Sequence, residues 1–208
     1  MKTIIYVDGF NLYYGAVRGT AYKWLNVQKL CQLLLPKNQI VKIKYFTALV
    51  TARPNDVDQP NRQQIYLRAL RTIPNLDIIL GHFLEHEIMM PVANSIPGGQ
   101  KYVKVIKTEE KGSDVNIAAH IINDGYKGNY EVAVILSNDS DLVEPIKIVR
   151  QELKLPVIVL NPIPAHPSHE LQKFATFMKP IRKKVLSASQ FPIKMKDRTG
   201  NFHKPPTW

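Results

Sequence analysis

The sequence predicts an α/β fold in which a parallel sheet is covered by helices. Short apolar runs rich in Val and Ile alternate along the chain with longer segments whose apolar residues recur at helical spacing. The chain has 208 residues, 45% of them hydrophobic, which is enough for one good-sized core. Strands that alternate with helices form a parallel sheet with right-handed crossovers, so the carboxyl ends of all its strands open on one edge.

Five apolar segments are predicted as the strands of this sheet: residues 3–7, 40–49, 76–84, 131–137 and 156–160. The helices are predicted from residue 10 onwards and at 27–35, 61–73, 114–126, 142–151 and 168–178. Asn26 and Pro60 are residues that typically begin helices, and each precedes one of these segments. Residues 84–107 contain two β-rich segments around a turn at 93–99, which predicts a small β-hairpin excursion.

Positive charge is concentrated at the end of the chain. The formal net charge is +11, from 28 Lys and Arg against 17 Asp and Glu, and residues 179–208 hold eight of these cations against one acid. We therefore divide the chain into a domain at 1–178 and a basic C-terminal extension at 179–208. The end of this extension, 193–208, is rich in Pro and contains Phe202 and Trp208. It is either a flexible arm that binds nucleic acid or a terminus packed on its own domain or on a partner.

Composition also bears on the location of the protein and on its binding partners. The apolar run before Asp8 is four residues long, too short for a signal-peptide core, and no apolar run reaches membrane-spanning length. We therefore expect a cytoplasmic protein with no membrane partner, and an assembly of identical chains is left open. A basic chain that keeps its acids in a few clusters is expected either to bind a polyanionic partner that needs metal, a description that nucleic acid fits, or to carry lysines that only increase solubility. Charge alone does not decide between the two.

Four aspartates stand where chemistry is expected. Asp8 and Asp139 directly follow the first and fourth predicted strands, Asp141 comes two residues later, and Asp114 lies in the first turn of a predicted helix. If the two strands are neighbours, their ends lie about 5 Å apart, beside the crevice in which open α/β sheets bind ligands. Asp114 joins them only if the segment before its helix reaches the same edge. Each aspartate could instead form a turn or cap a helix, Asp114 and Asp141 in particular.

Several carboxylates in one pocket require a compensating cation. Two carboxylates 4 Å apart repel by about 4 kcal/mol at an effective dielectric constant near 20. Ligation by carboxylate oxygen alone, without Cys or His at metal spacing, indicates Mg²⁺ or Mn²⁺ rather than Zn²⁺. The chain has no GxxxxGK[ST] phosphate loop and no GxGxxG after the first strand, which argues against the nucleotide-binding sites that use them.

Three segments resemble the signature motifs of the NYN domain family, in its LabA/DUF88-like branch, which is related to the PIN-domain nucleases. They are DGFN at 8–11, KGSDV at 111–115 and SNDSD at 137–141. The resemblance implies a Rossmann-like (PIN-like) three-layer fold with strand order 3-2-1-4-5. It also implies a ribonuclease site in which Asp8, Asp114 and Asp139 bind the metal. By the same resemblance, Asn11 orients the first carboxylate or the substrate, and Ser137 supports the cluster.

These observations lead us to expect a metal-dependent ribonuclease that hydrolyses single-stranded RNA with water as the nucleophile. The catalytic residues would be Asp8, Asp114, Asp139 and Asp141, with one or two Mg²⁺ or Mn²⁺ ions. Lys111 is expected either to contact a substrate phosphate or to be a solvated charge paired with a neighbouring glutamate. Two other functions stay open: a non-catalytic nucleic-acid-binding or regulatory module, and a metal-dependent phosphatase or nucleotide-processing enzyme.

Overall fold

A six-stranded parallel sheet forms the centre of the computed structural model, which describes residues 1–94 and 98–208. Residues 95–97, in the predicted hairpin turn, lie outside the described residues. The strands are β1 Lys2–Asp8, β2 Gln39–Thr47, β3 Leu76–Leu80, β4 His82–Pro91, β5 Tyr102–Lys111, β6 Val132–Leu136, β7 Val157–Asn161, β8 Phe177–Pro180, β9 Lys194–Asp197 and β10 Gly200–His203. The sheet order is β3-β2-β1-β6-β7-β8, whereas β4 with β5 and β9 with β10 form separate antiparallel pairs. The predicted α/β class and hairpin are therefore confirmed.

Helices cover both faces of the sheet. They are α1 Gly9–Leu12, α2 Val27–Leu34, α3 Gln59–Leu70, α4 Ser113–Tyr126, α5 Val143–Lys147, α6 His169–Phe174 and α7 Lys183–Ala188. Along β1, Ile5 and Val7 contribute to one buried cluster, and Ile4 and Tyr6 to a second cluster on the opposite face. In the described part of the chain, none of the helices combines the length and the apolar composition needed to cross a bilayer.

The five predicted strands stand in the predicted order, and β8 adds a sixth that the sequence did not indicate. The prediction of one helix over 168–178 is wrong after Phe174, where α6 ends. Ala175 adopts an extended conformation, and Phe177 then pairs with Ile158 of β7. Because β8 has four residues and depends on pairing with the edge of the existing sheet, local periodicity could not reveal it.

The hairpin β4–β5 leaves the sheet and returns to the edge from which it started. β4 follows directly after the carboxyl end of β3, and the register pairs His82 at the base of the hairpin with Lys111. Gly112, whose φ of 102° is readily adopted by glycine, then turns the chain into α4. The helix therefore begins at the edge where β3 ended, and this is how Asp114 reaches the carboxyl edge of the sheet.

The C-terminal hairpin β9–β10 packs against α3 rather than extending as a free arm. Arg68 donates two hydrogen bonds of 2.7 Å to Asp197 and lies 4.3 Å above the ring of Phe202. Phe202 is 6% exposed and contacts Trp24 edge to face, with ring centroids 6.4 Å apart. Of the two alternatives for residues 193–208, the structure shows the terminus packed on its own domain.

The burial of Phe202 predicts that the terminal hairpin contributes to global stability. Because a buried aromatic ring is lost, we expect Phe202→Ala to lower the free energy of unfolding by about 3 kcal/mol in urea titrations. Phe177→Ala is the matched control, because Phe177 is 48% exposed and its loss should cost less than about 1 kcal/mol. Equal stability of Phe202→Ala and the wild type would show that the hairpin is not part of the cooperative unit.

Candidate active site

Asp8 is a buried carboxylate held by two hydrogen bonds at the carboxyl end of β1. One of its oxygens accepts the Asn11 backbone N–H at 2.9 Å, and the other accepts the Ser137 hydroxyl at 3.0 Å. Burial raises the pKa of Asp8, an effect that these two hydrogen bonds oppose and the charge of Asp139 reinforces. Gly9 allows the segment after Asp8 to pack closely against β2, since a Cβ at Gly9 would lie 2.7 Å from the carbonyl oxygen of Phe46.

Direct hydrogen bonds join the first motif, DGFN at 8–11, to the third motif, SNDSD at 137–141. β1 pairs with β6 in parallel, so their carboxyl ends lie side by side. Ser137, which donates to Asp8, also accepts the backbone N–H of Asp139 at 3.1 Å. Asn11 accepts the backbone N–H of Asn138 at 2.9 Å through its side-chain oxygen. Asn11 and Ser137 therefore connect Asp8 to the loop that carries Asp139.

Asp139 and Asp141 differ in what their side chains do. Asp139 is partly buried and caps the short 3₁₀ turn Ser140–Leu142, because its Oδ1 accepts the Asp141 N–H at 3.0 Å. Asp141 is exposed in the first turn of that segment. The sequence left open that Asp141 caps the helix that follows it, whereas in the structure Asp139 caps the 3₁₀ turn and α5 begins after Leu142 without a side-chain cap.

Asp114 lies beside the other acids at the start of α4. It is partly buried, and burial raises its pKa to about 6, with further contributions from the charges of Asp8 and Asp139 and smaller ones from Glu110 and Asp141. The four aspartates named from the sequence therefore interact electrostatically at one edge of the sheet.

Glu110, near the end of β5, belongs to the same acidic group, although it is not one of the acids predicted for the site. Its Oε1 accepts the Ser113 hydroxyl at 2.9 Å, and its charge raises the pKa of both Asp8 and Asp114. A glutamate four residues before the first residue of the helix predicted at 114–126 was the available signal. Lys111, by contrast, is exposed and forms an ion pair with Glu109 at 3.2 Å.

Asn138 is a second residue whose role sequence reasoning missed. Its side-chain amide donates to the carbonyl oxygen of His166 at 2.8 Å and accepts the backbone N–H of Ser168 at 2.8 Å. Asn138 therefore fastens the segment after β7 to the loop that carries Asp139. Its partners lie about 30 residues further along the chain, so no local pattern indicated this contact.

The chemistry of the acidic group fits a hard divalent cation. Among the described residues, no Lys or Arg forms an ion pair with any of its members, which are Asp8, Glu110, Asp114, Asp139 and Asp141. Their carboxylate oxygens are the ligands that Mg²⁺ and Mn²⁺ prefer. Across residues 1–94 and 98–208, however, no group of three or more His, Cys, Asp or Glu side chains converges as a metal site. A cation held by Asp8, Asp114 and Asp139 together would therefore require these three side chains to move closer together.

The raised pKa of Asp114 predicts a pH-dependent effect of Asp114→Asn on stability. The stability that this carboxyl group contributes is fully present below its usual pKa of 3.8 and is lost as the pH rises through about 6, where the folded protein must ionise it. In metal-free buffer we expect Asp114→Asn to raise Tm at about pH 8 and to leave it nearly unchanged at about pH 4. Asp77→Asn, at an exposed aspartate paired with Lys42, is the control. An equal gain at both pH values would contradict the prediction.

Comparison with known proteins identifies the family. A family model described as "NYN domain" matches residues 2–182. A 6-hydroxy-3-succinoylpyridine 3-monooxygenase, HspA, of Pseudomonas putida (strain DSM 28022 / S16) is 28% identical over 236 aligned positions, which span all of this chain and 75% of that protein. The crystal structure of a protein of unknown function from Vibrio parahaemolyticus RIMD 2210633 superimposes with a TM-score of 0.56 at 18% identity, over 88% of this chain and 93% of that one. That structure supports the fold alone, whereas the family match spans most of the sequence. The chain belongs to the NYN domain family.

Proposed function

We propose that this protein is a metal-dependent ribonuclease that hydrolyses phosphodiester bonds in single-stranded RNA. The observation that carries the proposal is the joining of Asp8 to the Asp139 loop through Ser137 and Asn11, beside Asp114. This arrangement concentrates negative charge that the described Lys and Arg side chains do not pair with. Family membership supports a nuclease-like activity.

In this proposal Asp8, Asp114 and Asp139 hold one or two Mg²⁺ or Mn²⁺ ions. When bound, such an ion polarises the phosphoryl group and lowers the pKa of a water molecule. Asn11 and Ser137 fix the orientation of the Asp8 carboxylate through two hydrogen bonds. Asp141, which is exposed beside the cluster, serves as a further ligand or accepts the proton of the attacking water. Lys111 reaches a substrate phosphate by exchanging its partner Glu109.

Aromatic side chains next to the acids favour an unpaired RNA strand over a duplex. Phe10 stacks on Tyr14 with ring centroids 6.5 Å apart, and it meets Phe83 edge to face at 5.5 Å. Tyr14 is 53% exposed. Exposed rings stack on the faces of bases that are not already stacked in a helix. The net charge of +11 supports a polyanionic partner.

One comparison favours a second candidate, the oxygenation of a hydroxypyridine. The Pseudomonas relative, named as a 6-hydroxy-3-succinoylpyridine 3-monooxygenase, aligns with the whole of this chain. An oxygenase of this kind consumes O₂ and a reductant, whereas a nuclease consumes neither. Incubating the protein with 6-hydroxy-3-succinoylpyridine, NADH and air, and following O₂ uptake and product mass, separates the two activities. O₂ uptake together with incorporation of one oxygen atom of O₂ into a hydroxypyridine product, with loss of the substituent that it replaces, would favour the second candidate.

The ribonuclease proposal predicts that Asp139 is essential to cleavage. Purified wild-type protein with Mn²⁺ should cut single-stranded RNA, and Asp139→Asn should cut it at least about 100-fold more slowly because a metal ligand is lost. EDTA should abolish cleavage. Asp77→Asn, the same change at an exposed aspartate paired with Lys42, should cleave like the wild type. The measurement is the initial rate of cleavage of end-labelled RNAs on denaturing gels.

Other results would favour the alternatives. RNA that is bound but left intact by the wild type would favour a binding or regulatory module. Turnover of mononucleotides without cleavage of the polymer would favour a phosphatase or nucleotide-processing enzyme. Cleavage that survives EDTA or Asp139→Asn would come from a contaminating nuclease and would contradict the proposal.

A further inference from the structure

A cavity lies beside the acidic group, at the carboxyl edge of the sheet (the acidic edge), between the first helical segment, β2, α3 and the end of the chain. Its volume is about 80 Å³, and its lining includes Gly9, Leu12, Tyr13, Tyr45, Tyr66 and Trp208. Since one water molecule requires roughly 10–15 Å³ of such space, the cavity has room for about five to eight water-sized atoms. That is the size of one six-membered ring with its substituents.

Aromatic side chains form much of the wall of this cavity. Tyr45 and Tyr66 meet edge to face, with ring centroids 6.4 Å apart, and Trp208 lies against Tyr66 at 5.7 Å. Tyr13 and Leu12 add further lining from the first helical segment. Aromatic walls of this kind hold planar ligands by stacked and edge-to-face contacts, which rings make with better geometry than chains do.

The polar groups of the cavity are cationic or amide in character. Lys23, Arg62, Gln59 and Gln63 line it, and its described lining contains no Asp or Glu. Gln63 is fixed by a hydrogen bond of 2.8 Å from its Nε2 to the carbonyl oxygen of Ala48. Arg62 is paired with Asp56, which lies outside the lining, so Lys23 is the cation that can donate to a ring with acceptor or anionic substituents.

A shared wall connects the cavity to the acidic group. Phe10, Tyr14, Val50 and Gln59 line both the cavity and a neighbouring groove that contains Glu110. Glu110 is the residue whose charge raises the pKa of Asp8 and Asp114. A ligand whose ring occupies the cavity can therefore extend along this groove toward the acidic edge.

We propose that this cavity binds one planar heteroaromatic ring of the substrate, a ring with acceptor or anionic substituents. The inference rests on the proposed function in placing the rest of the substrate at the acidic edge, and it names the part of the substrate that is recognised. Two sources supply such a ring: an unpaired base of RNA and a free hydroxypyridine of the kind named for the Pseudomonas relative.

Titration calorimetry without metal tests the cavity separately from catalysis. The probes are CMP and UMP in one arm and 6-hydroxy-3-succinoylpyridine in the other, and we expect saturable binding in one of these arms. Val50→Trp should fill the cavity and weaken that binding at least about tenfold, because the ring loses its space and its stacking partners. Val57→Trp, at a residue that is 70% exposed and does not line the cavity, should retain the wild-type affinity.

Trp208→Leu provides a second variant, which removes one aromatic wall and should weaken the same binding several-fold. Thermal unfolding of each variant identifies any that fails to fold. No binding by the wild type at millimolar concentrations of either probe class, or equal affinity of the wild type and both cavity variants, would overturn the inference. RNA cleavage without ring binding would contradict the proposed ring site and leave the proposed ribonuclease activity supported. Ring binding without RNA cleavage would support the ring site and contradict the ribonuclease activity.

Discussion

The hydrogen bond from Ser137 to Asp8 joins the ends of the two central strands of the sheet. It is buried, 3.0 Å long, and links residues 129 positions apart in the sequence. Because Ser137 also accepts the Asp139 N–H, one hydroxyl group orients the first carboxylate and the loop that carries the third motif. A buried hydroxyl in this position is costly unless both its donor and its acceptor functions are used, and here both are.

Placing several acids at one edge of the sheet lowers the stability of the fold, and packing elsewhere in the domain offsets this loss. Burial and neighbouring acids raise the pKa values of Asp8 and Asp114, so the fold holds these carboxylates where ionisation is unfavourable. Buried side chains on both faces of the sheet supply the stability that offsets this cost. Perturbed carboxylates with a common set of causes are typical of functional sites, where a bound cation reverses the penalty.

Aromatic residues connect the acidic edge to the far end of the chain. Trp24 contacts Tyr66, Phe191 and Phe202, and Tyr66 in turn contacts Trp208. The terminal hairpin is therefore a continuation of the core that α3 shares, and Trp208, which follows the hairpin, contributes a wall to the cavity near the acidic group. Much of the positive charge that the sequence concentrates after residue 178 is thus carried by a folded surface rather than by a free arm.

The sequence by itself determined the α/β class, the five main strands and the candidate aspartates, because buried strands and amphipathic helices leave local periodic patterns. Asp8 and Asp139 directly follow two of these strands, and Asp114 lies at the start of one of these helices. The tertiary structure alone decided the features that depend on distant partners. β8 exists through its pairing with β7, Glu110 joins the acids because β5 returns to the base of the hairpin, and Asn138 fastens a segment about 30 residues away. It also showed that Asp139, rather than Asp141, accepts the capping hydrogen bond in this segment, because hydrogen-bond geometry rather than residue type selects a cap.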